Sequence, residues 1–202
     1  MQISNDTVSR VPQPMDSSSE WRAQRVAELL DRPALGQAMM DPLRPVLASL
    51  LVGRSLNEGV LPETLGLTRD TFGQLMREHF PGPPLKLQSG DAQEIEELAD
   101  LFNLLLEYRA GVTQSETWLA QIVAIGCAGR DHLWQDLGLA NRVELSTLMN
   151  TAFPALAALN TGDMKWKKFI YRHYCDREGI YVCPAPSCSE CSDFEKCFSP
   201  EE

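Results

Sequence analysis

The chain has 202 residues, 44% of them hydrophobic, a formal net charge of −10 and a pI near 4.8. That length favours one domain and that apolar fraction can bury a sizeable core, while the acidic balance excludes a surface given over to nucleic acid. No stretch reaches the unbroken apolar length of a membrane span, and residues 1–20 hold no apolar run of signal-peptide length, so the expected compartment is the cytoplasm, where thiols stay reduced.

Residues 1–20 are dominated by Ser, Asp, Asn and Pro and read as a disordered arm with nothing to bury. Helical spacing starts near Trp21, with Arg25 and Leu29 at steps of four. Asp41 followed by Pro42 predicts an N-cap and a helix running through Leu50 and Leu51. Residues 61–67 form a connector. Thr68 or Asp70 then caps a helix carrying Phe72, Leu75, Met76 and Phe80, which the run Pro81, Gly82, Pro83, Pro84 stops.

Residues 91–108 predict a helix on Ile95, Leu98, Leu101, Phe102, Leu105 and Leu106, with acids in its first turns and Gly111 beyond its end. The acids Glu96 and Glu97 fall on its exposed face and serve solubility. Residues 115–127 are apolar around most of their girth, as expected of a central core helix. A turn over 129–138 leads to a helix over 142–153, and a last helix over 163–177 ends at Gly179, a suitable C′ residue. Clean two-residue alternation is missing and β-branched residues are sparse. The reading is an all-α, bundle-like helical domain over 21–179, with an irregular cysteine-rich segment over 180–202 packed on it.

That segment carries the chemistry. Four of the six cysteines, Cys183, Cys188, Cys191 and Cys197, fall in CPAPSCSECSDFEKC with the spacing C-x4-C-x2-C-x5-C. Four soft thiolates this close can converge on one centre, and they select zinc, copper(I) or iron–sulfur clusters over hard cations. Pro184, Pro186 and Pro200 keep the loop from continuing as helix. Ser192 and Glu195 form a capping-box pattern, so a single helical turn can separate Cys191 from Cys197. Structural zinc competes, but zinc modules commonly pair two close ligand pairs across a longer linker, and only one C-x2-C is present here. Crowding into one loop suits an iron–sulfur cluster. A reducing cytosol argues against disulfides. The sequence offers no βαβ setting for a thioredoxin-like pair and no His after Cys191 for c-type haem.

Other residues offer themselves around that centre. Helical counting places Cys175 beside Lys168 and Tyr171 on a polar face, away from an apolar line of Trp166, Phe169, Ile170 and His173. It reads either as a small buried hydrophobe or as a further metal or sulfur ligand. Lys165, Lys167, Lys168 and Arg172 read as solvated cations flanking that line, or as an anion-binding or docking face beside the negatively charged cluster. Cys127 and His132, near the exit of the core helix, reach the cluster only if that turn faces the C-terminal loop. His79 and His173 read as structural. Dinucleotide, P-loop, zinc-protease and serine-hydrolase motifs are missing, and no catalytic constellation is expected.

The C-terminal half resembles the NifQ family. The resemblance rests on HLWQDLGL (132–139), FPALAALN (153–160), DMKWKKFIYR (163–172), Cys175 and the complete cysteine motif, with weaker echoes in LPETLGL (61–67) and HFPG (79–82). It implies a molybdenum carrier in assembly of the nitrogenase iron–molybdenum cofactor. Cys183, Cys188, Cys191 and Cys197 would hold a molybdenum–iron–sulfur cluster, supplied from molybdate or another molybdenum source. The implied recipients are the nitrogenase iron protein and the NifEN scaffold. Molybdenum in a cubane corner wants donors beyond three sulfides, and a fourth thiolate, Cys175, His132 or an oxygen ligand could supply them. An iron–sulfur protein without molybdenum and a helical interaction protein with structural zinc remain the alternatives.

Overall fold

The computed structural model describes residues 17–179, and within them the backbone is helical with no strand. The arm over 1–16 and the cysteine segment over 180–202 lie outside the described residues.

The first helix, α1 (Ser17–Leu30), begins at Ser17 rather than near Trp21. A 3₁₀ turn (Gly36–Met40) follows, then α2 (Arg44–Ser55) and α3 (Arg69–His79). Asp41 does not cap α2 directly. Its carboxylate accepts the Leu43 N–H at 2.8 Å and its carbonyl the Arg44 N–H at 3.2 Å, heading a turn that feeds the helix, and Pro45 rather than Pro42 occupies the first turn. Thr68 caps α3 as expected, accepting the Thr71 N–H at 3.2 Å.

The fourth helix, α4 (Leu98–Glu107), starts well after the expected Asp91. The backbone before it is spent elsewhere. Gln88 N–H donates to the Arg54 carbonyl, Gly90 N–H to Leu61 and Ala92 N–H to Val60, at 3.1, 2.9 and 2.8 Å. A Cβ at residue 90 would lie 2.3 Å from the Val60 oxygen, so only glycine allows this approach. Tertiary hydrogen bonding has overridden local helical periodicity here. The fully buried Arg54 secures the same stretch, donating to the carbonyls of Gln88, Glu58 and Gly59.

The core helix α5 (Ser115–Cys127) keeps its expected bounds. From Trp118 to Cys127 every residue but Gln121 is buried, and α5 packs against α4, the short α6 (Leu133–Asp136) and α7 (Arg142–Ala152). The other heavily buried helix is α2, buried from Val46 to Arg54. A further helix, α8 (Pro154–Leu159), was not anticipated. Phe153 leaves helical geometry at φ −132°, ψ 55° because the following Pro154 disfavours it there, and Pro154 then opens a new first turn.

The last helix, α9 (Trp166–Glu178), starts three residues into the expected span. Asn160 holds the approach by bonding both the N–H and the carbonyl of Met164 at 2.9 Å, with Asp163 at φ +48°. Gly179 closes α9 in the left-handed region at φ +67°.

Candidate metal centre

Cys183, Cys188, Cys191 and Cys197 lie outside the described residues, which end at Gly179, just before that segment in sequence. Among the described residues no group of three or more His, Cys, Asp or Glu side chains is arranged to hold a metal ion.

The last described helix is α9, whose closing Gly179 precedes the segment in sequence, and it is fastened at both ends. Near its start, Lys167 is buried rather than solvated. Its ammonium donates to the carbonyls of Gly129 at 3.0 Å and Asp131 at 2.8 Å and pairs with the Asp136 carboxylate. Three N–H bonds meet three acceptors, the full complement of a charged lysine. Burial pushes the Asp136 carboxyl above the usual carboxylate range, and Lys167 pulls it back only in part. Toward its end α9 lies along α4. Tyr174 donates to Asp100 at 3.0 Å, His173 Nε2 stands 3.0 Å from the Tyr108 hydroxyl, and Arg177 pairs with Glu107 at 2.8 Å.

This geometry corrects the face assignment of α9. The buried stripe runs through Lys167, Phe169, Ile170, Tyr171, Tyr174 and Cys175, so Phe169 and Ile170 lie inward as expected while the rest of the line shifts. Cys175 is therefore 3% exposed and inside the stripe, not on a polar face. The sequence reading failed because it sent every lysine to solvent, which rotated the helix by about one position. Trp166 and His173 are only half-buried.

Cys127 is wholly buried at the end of α5, beside Lys167 and Asp136, and its carbonyl accepts the Tyr171 hydroxyl at 3.4 Å. Burial pushes its thiol up to about 12, with Lys167 opposing and Asp136 adding to the shift. With its side chain wholly enclosed, Cys127 packs in the core at this end of α5. His132 is exposed at the start of α6, its Nε2 3.2 Å from an Arg142 guanidinium nitrogen. Of the remaining cations, Lys165 is exposed, while Lys168 and Arg172 are half-buried, with Arg172 Nε 3.8 Å from the Asp176 carboxylate. The cations of the KWKK run thus separate into one structural lysine and an outward-facing set.

Two buried polar clusters escaped sequence reasoning. His79, Asp41 and Ser115 meet in the core, with Ser115 donating to Asp41 at 2.5 Å and His79 Nε2 3.4 Å from the serine oxygen. The serine hydroxyl is bonded to the carboxylate and not poised on the imidazole, so this is a structural cluster. Glu116, 1% exposed, accepts the backbone N–H groups of Gly111, Val112 and Thr113. The only sequence signal for either was a polar residue within an otherwise apolar or turn segment.

The chain is similar to proteins of one family. The NifQ family model matches residues 46–199, which takes in all four clustered cysteines. Protein NifQ of Azotobacter vinelandii is 40% identical over 165 residues, covering 73% of this chain and 85% of that protein. The NifQ homolog of Sinorhizobium fredii is 37% identical over 161 residues, covering 78% and 70% respectively. Protein NifQ of Rhodobacter capsulatus is 36% identical over 172 residues, covering 83% and 89%. No solved structure matches the chain. With the model spanning most of the sequence and relatives aligned over most of their length, this chain belongs to the NifQ family.

Proposed function

We propose that this protein carries molybdenum as part of a molybdenum–iron–sulfur cluster and delivers it for nitrogenase iron–molybdenum cofactor assembly. The observation that carries the reading is the complete C-x4-C-x2-C-x5-C set inside the stretch matched to the NifQ family. Cys183, Cys188, Cys191 and Cys197 supply soft thiolates suited to an iron–sulfur framework. The cluster is cargo: molybdenum is captured at a cysteine-held iron–sulfur precursor and leaves when the carrier docks on its recipient. The nitrogenase iron protein and the NifEN scaffold are the proposed recipients, and the cytoplasm is the proposed compartment. The cysteine segment follows in sequence a helical body whose last helix is held at both ends. A loop-borne site suits a donor, because release needs only local opening.

The test is metal and sulfide analysis of full-length protein purified without oxygen. Molybdenum together with iron and sulfide supports the carrier reading. Iron and sulfide without molybdenum after molybdate loading would indicate an iron–sulfur protein of another kind, and zinc without sulfide would overturn the cluster altogether.

A further inference from the structure

Arg22 pins α1 to the rest of the molecule. Its guanidinium donates to the Gly138 carbonyl at 2.6 Å and to the Ser49 carbonyl and hydroxyl at 3.2 Å, and it pairs with Glu58. The connector after α2 is tied to α6, with Val60 N–H donating to the Asp136 carbonyl at 2.8 Å. Residues of α1 on one side, and of α6 and the turn into α7 on the other, line a cleft of about 1260 Å³.

The apolar walls are Trp21, Val26, Leu56, Val60, Trp134 and Leu139, and Trp21 is 46% exposed. Two buried donors of lining residues, Arg22 Nε–H and Trp134 Nε1–H, have no acceptor among the described residues. Buried donors are normally satisfied, so each marks a place for an oxygen from outside the fold. The charge is one-sided. Among the lining residues Arg22 is the one Lys or Arg, against the carboxylates of Glu58, Asp131, Asp136 and Glu144. Glu58 is matched by Arg22 and Asp136 by Lys167. Glu144 accepts the Ser49 hydroxyl at 2.6 Å and the Ala140 N–H at 2.9 Å, and neither it nor exposed Asp131 has an ion pair among the described residues. Arg25 lies over the Trp21 ring, 5.3 Å from its centroid, but is itself paired with Glu28.

An aromatic-walled cleft with two uncompensated carboxylates and orphaned N–H donors suits a cation carried on an apolar chain that also brings carbonyl oxygens. We propose that this cleft docks a segment of a partner protein in which a Lys or Arg side chain stands beside apolar ones. The cation meets Asp131 and Glu144, the apolar side chains lie against Trp21 and Trp134, and a backbone carbonyl accepts the Trp134 indole N–H. Small-molecule sites run to about 1000 Å³ and enclose their ligand, whereas this cleft is larger and open, which favours a chain segment as its occupant. Under the carrier reading above the partner is the recipient of the cargo; the cleft itself rests on its geometry and charge.

The probe is a fluorescein-labelled peptide of alternating Leu and Lys, titrated with the full-length protein and read by fluorescence anisotropy. An ionic strength of about 0.15 M screens attraction to the chain's overall negative charge. The peptide should bind, a counterpart with Glu in place of Lys should not, and hydrogen exchange should slow over 19–26 and 131–141. Trp21→Ala combined with Asp131→Asn should weaken binding about tenfold, and both residues are exposed, so the variant keeps its core. Trp134→Phe, which keeps an aromatic wall and removes the N–H, should weaken it about fivefold. Glu63→Gln, an exposed acid outside the cleft, should leave it unchanged. Equal loss in Glu63→Gln and Asp131→Asn, equal binding of the Glu peptide, or protection elsewhere on the protein overturns the proposal. Tighter peptide binding in Arg10→Gln, which removes the one Lys or Arg of residues 1–16, would assign the cleft to the chain's own arm and overturn it as well. Dimerisation lost in Trp21→Ala would do the same in favour of a second copy. Metal and sulfide content scores the carrier reading separately from this peptide binding.

Discussion

Lys167 and Asp136 form a buried ion pair that joins the start of α9 to the end of α6. The lysine is 6% exposed and the aspartate 1%. Breaking such a pair from one side strands a charge in the core, and that cost exceeds what the intact pair contributes over an apolar replacement. Asp136→Ala should therefore destabilise the protein by about 3–5 kcal/mol and lower the melting temperature by roughly 10 °C. Lys167→Met should cost less, since Asp136 sits with its carboxyl already shifted toward protonation. The double variant should lose much less than the sum of the two single losses. A strictly additive thermal-denaturation cycle would show that the two residues do not act as a pair.

Glu116 gathers three consecutive backbone N–H groups in front of α5. Replacing it with Ala leaves those donors with no side-chain acceptor, although the exposed stretch Gly111 and Val112 can turn to water. The expected loss is about 2–3 kcal/mol in denaturant unfolding, with faster amide exchange confined to 111–113. Exchange unchanged there would argue that the turn is held by other contacts.

The contrast between Glu116 and the helices explains what the sequence could reveal. The core helix α5 was legible to its end residues because it is apolar on nearly every side, and Thr68 was legible because a cap acts within three residues. Where partners are distant in sequence, local patterns misled. The segment before α4 has helical periodicity but gives its backbone to Val60 and Leu61, and Lys167 looks like its neighbours until Asp136 is placed beside it. The clustered cysteines stand out in the sequence through spacing alone, whereas Arg142 meets His132 only through tertiary packing. Polar residues inside a fold are specified by partners, and partners are what a local reading lacks.

His79 is 2% exposed, with Asp41 Oδ2 at 3.8 Å, Ser115 at 3.4 Å and the rings of Phe80 and Trp118 against it. Burial holds its pKa below the usual histidine value, outweighing the attraction of Asp41 and Glu78, while Arg44 adds to the lowering. The sign follows from proton counts: between the folded and unfolded values the unfolded chain binds more protons, so stability rises with pH across that window. The protein should lose stability as pH falls from about 6.5, and His132 and His173, also lowered, act in the same direction. In His79→Gln the fall in melting temperature between about pH 7 and pH 5.5 should be shallower than in the wild type. An identical slope would remove His79 from the account.

Cys175 and Cys191 give the sharpest contrast among the cysteines. Cys191 belongs to the clustered set; Cys175 is 3% exposed within the stripe by which α9 joins the core. Under the carrier reading, Cys191→Ala removes a thiolate from the cluster, so iron and sulfide per chain should fall to background while the helical signal in circular dichroism stays. For Cys175→Ala the expectation reverses. A small side chain leaves a small void, costing about 1 kcal/mol, and both iron and molybdenum should remain. Cys175→Ser should be worse than Ala for stability, because it places a more polar group at a buried position. If Cys175→Ala instead kept iron and lost molybdenum, burial would have hidden a ligand for the heterometal, and α9 would have to shift on loading to present it.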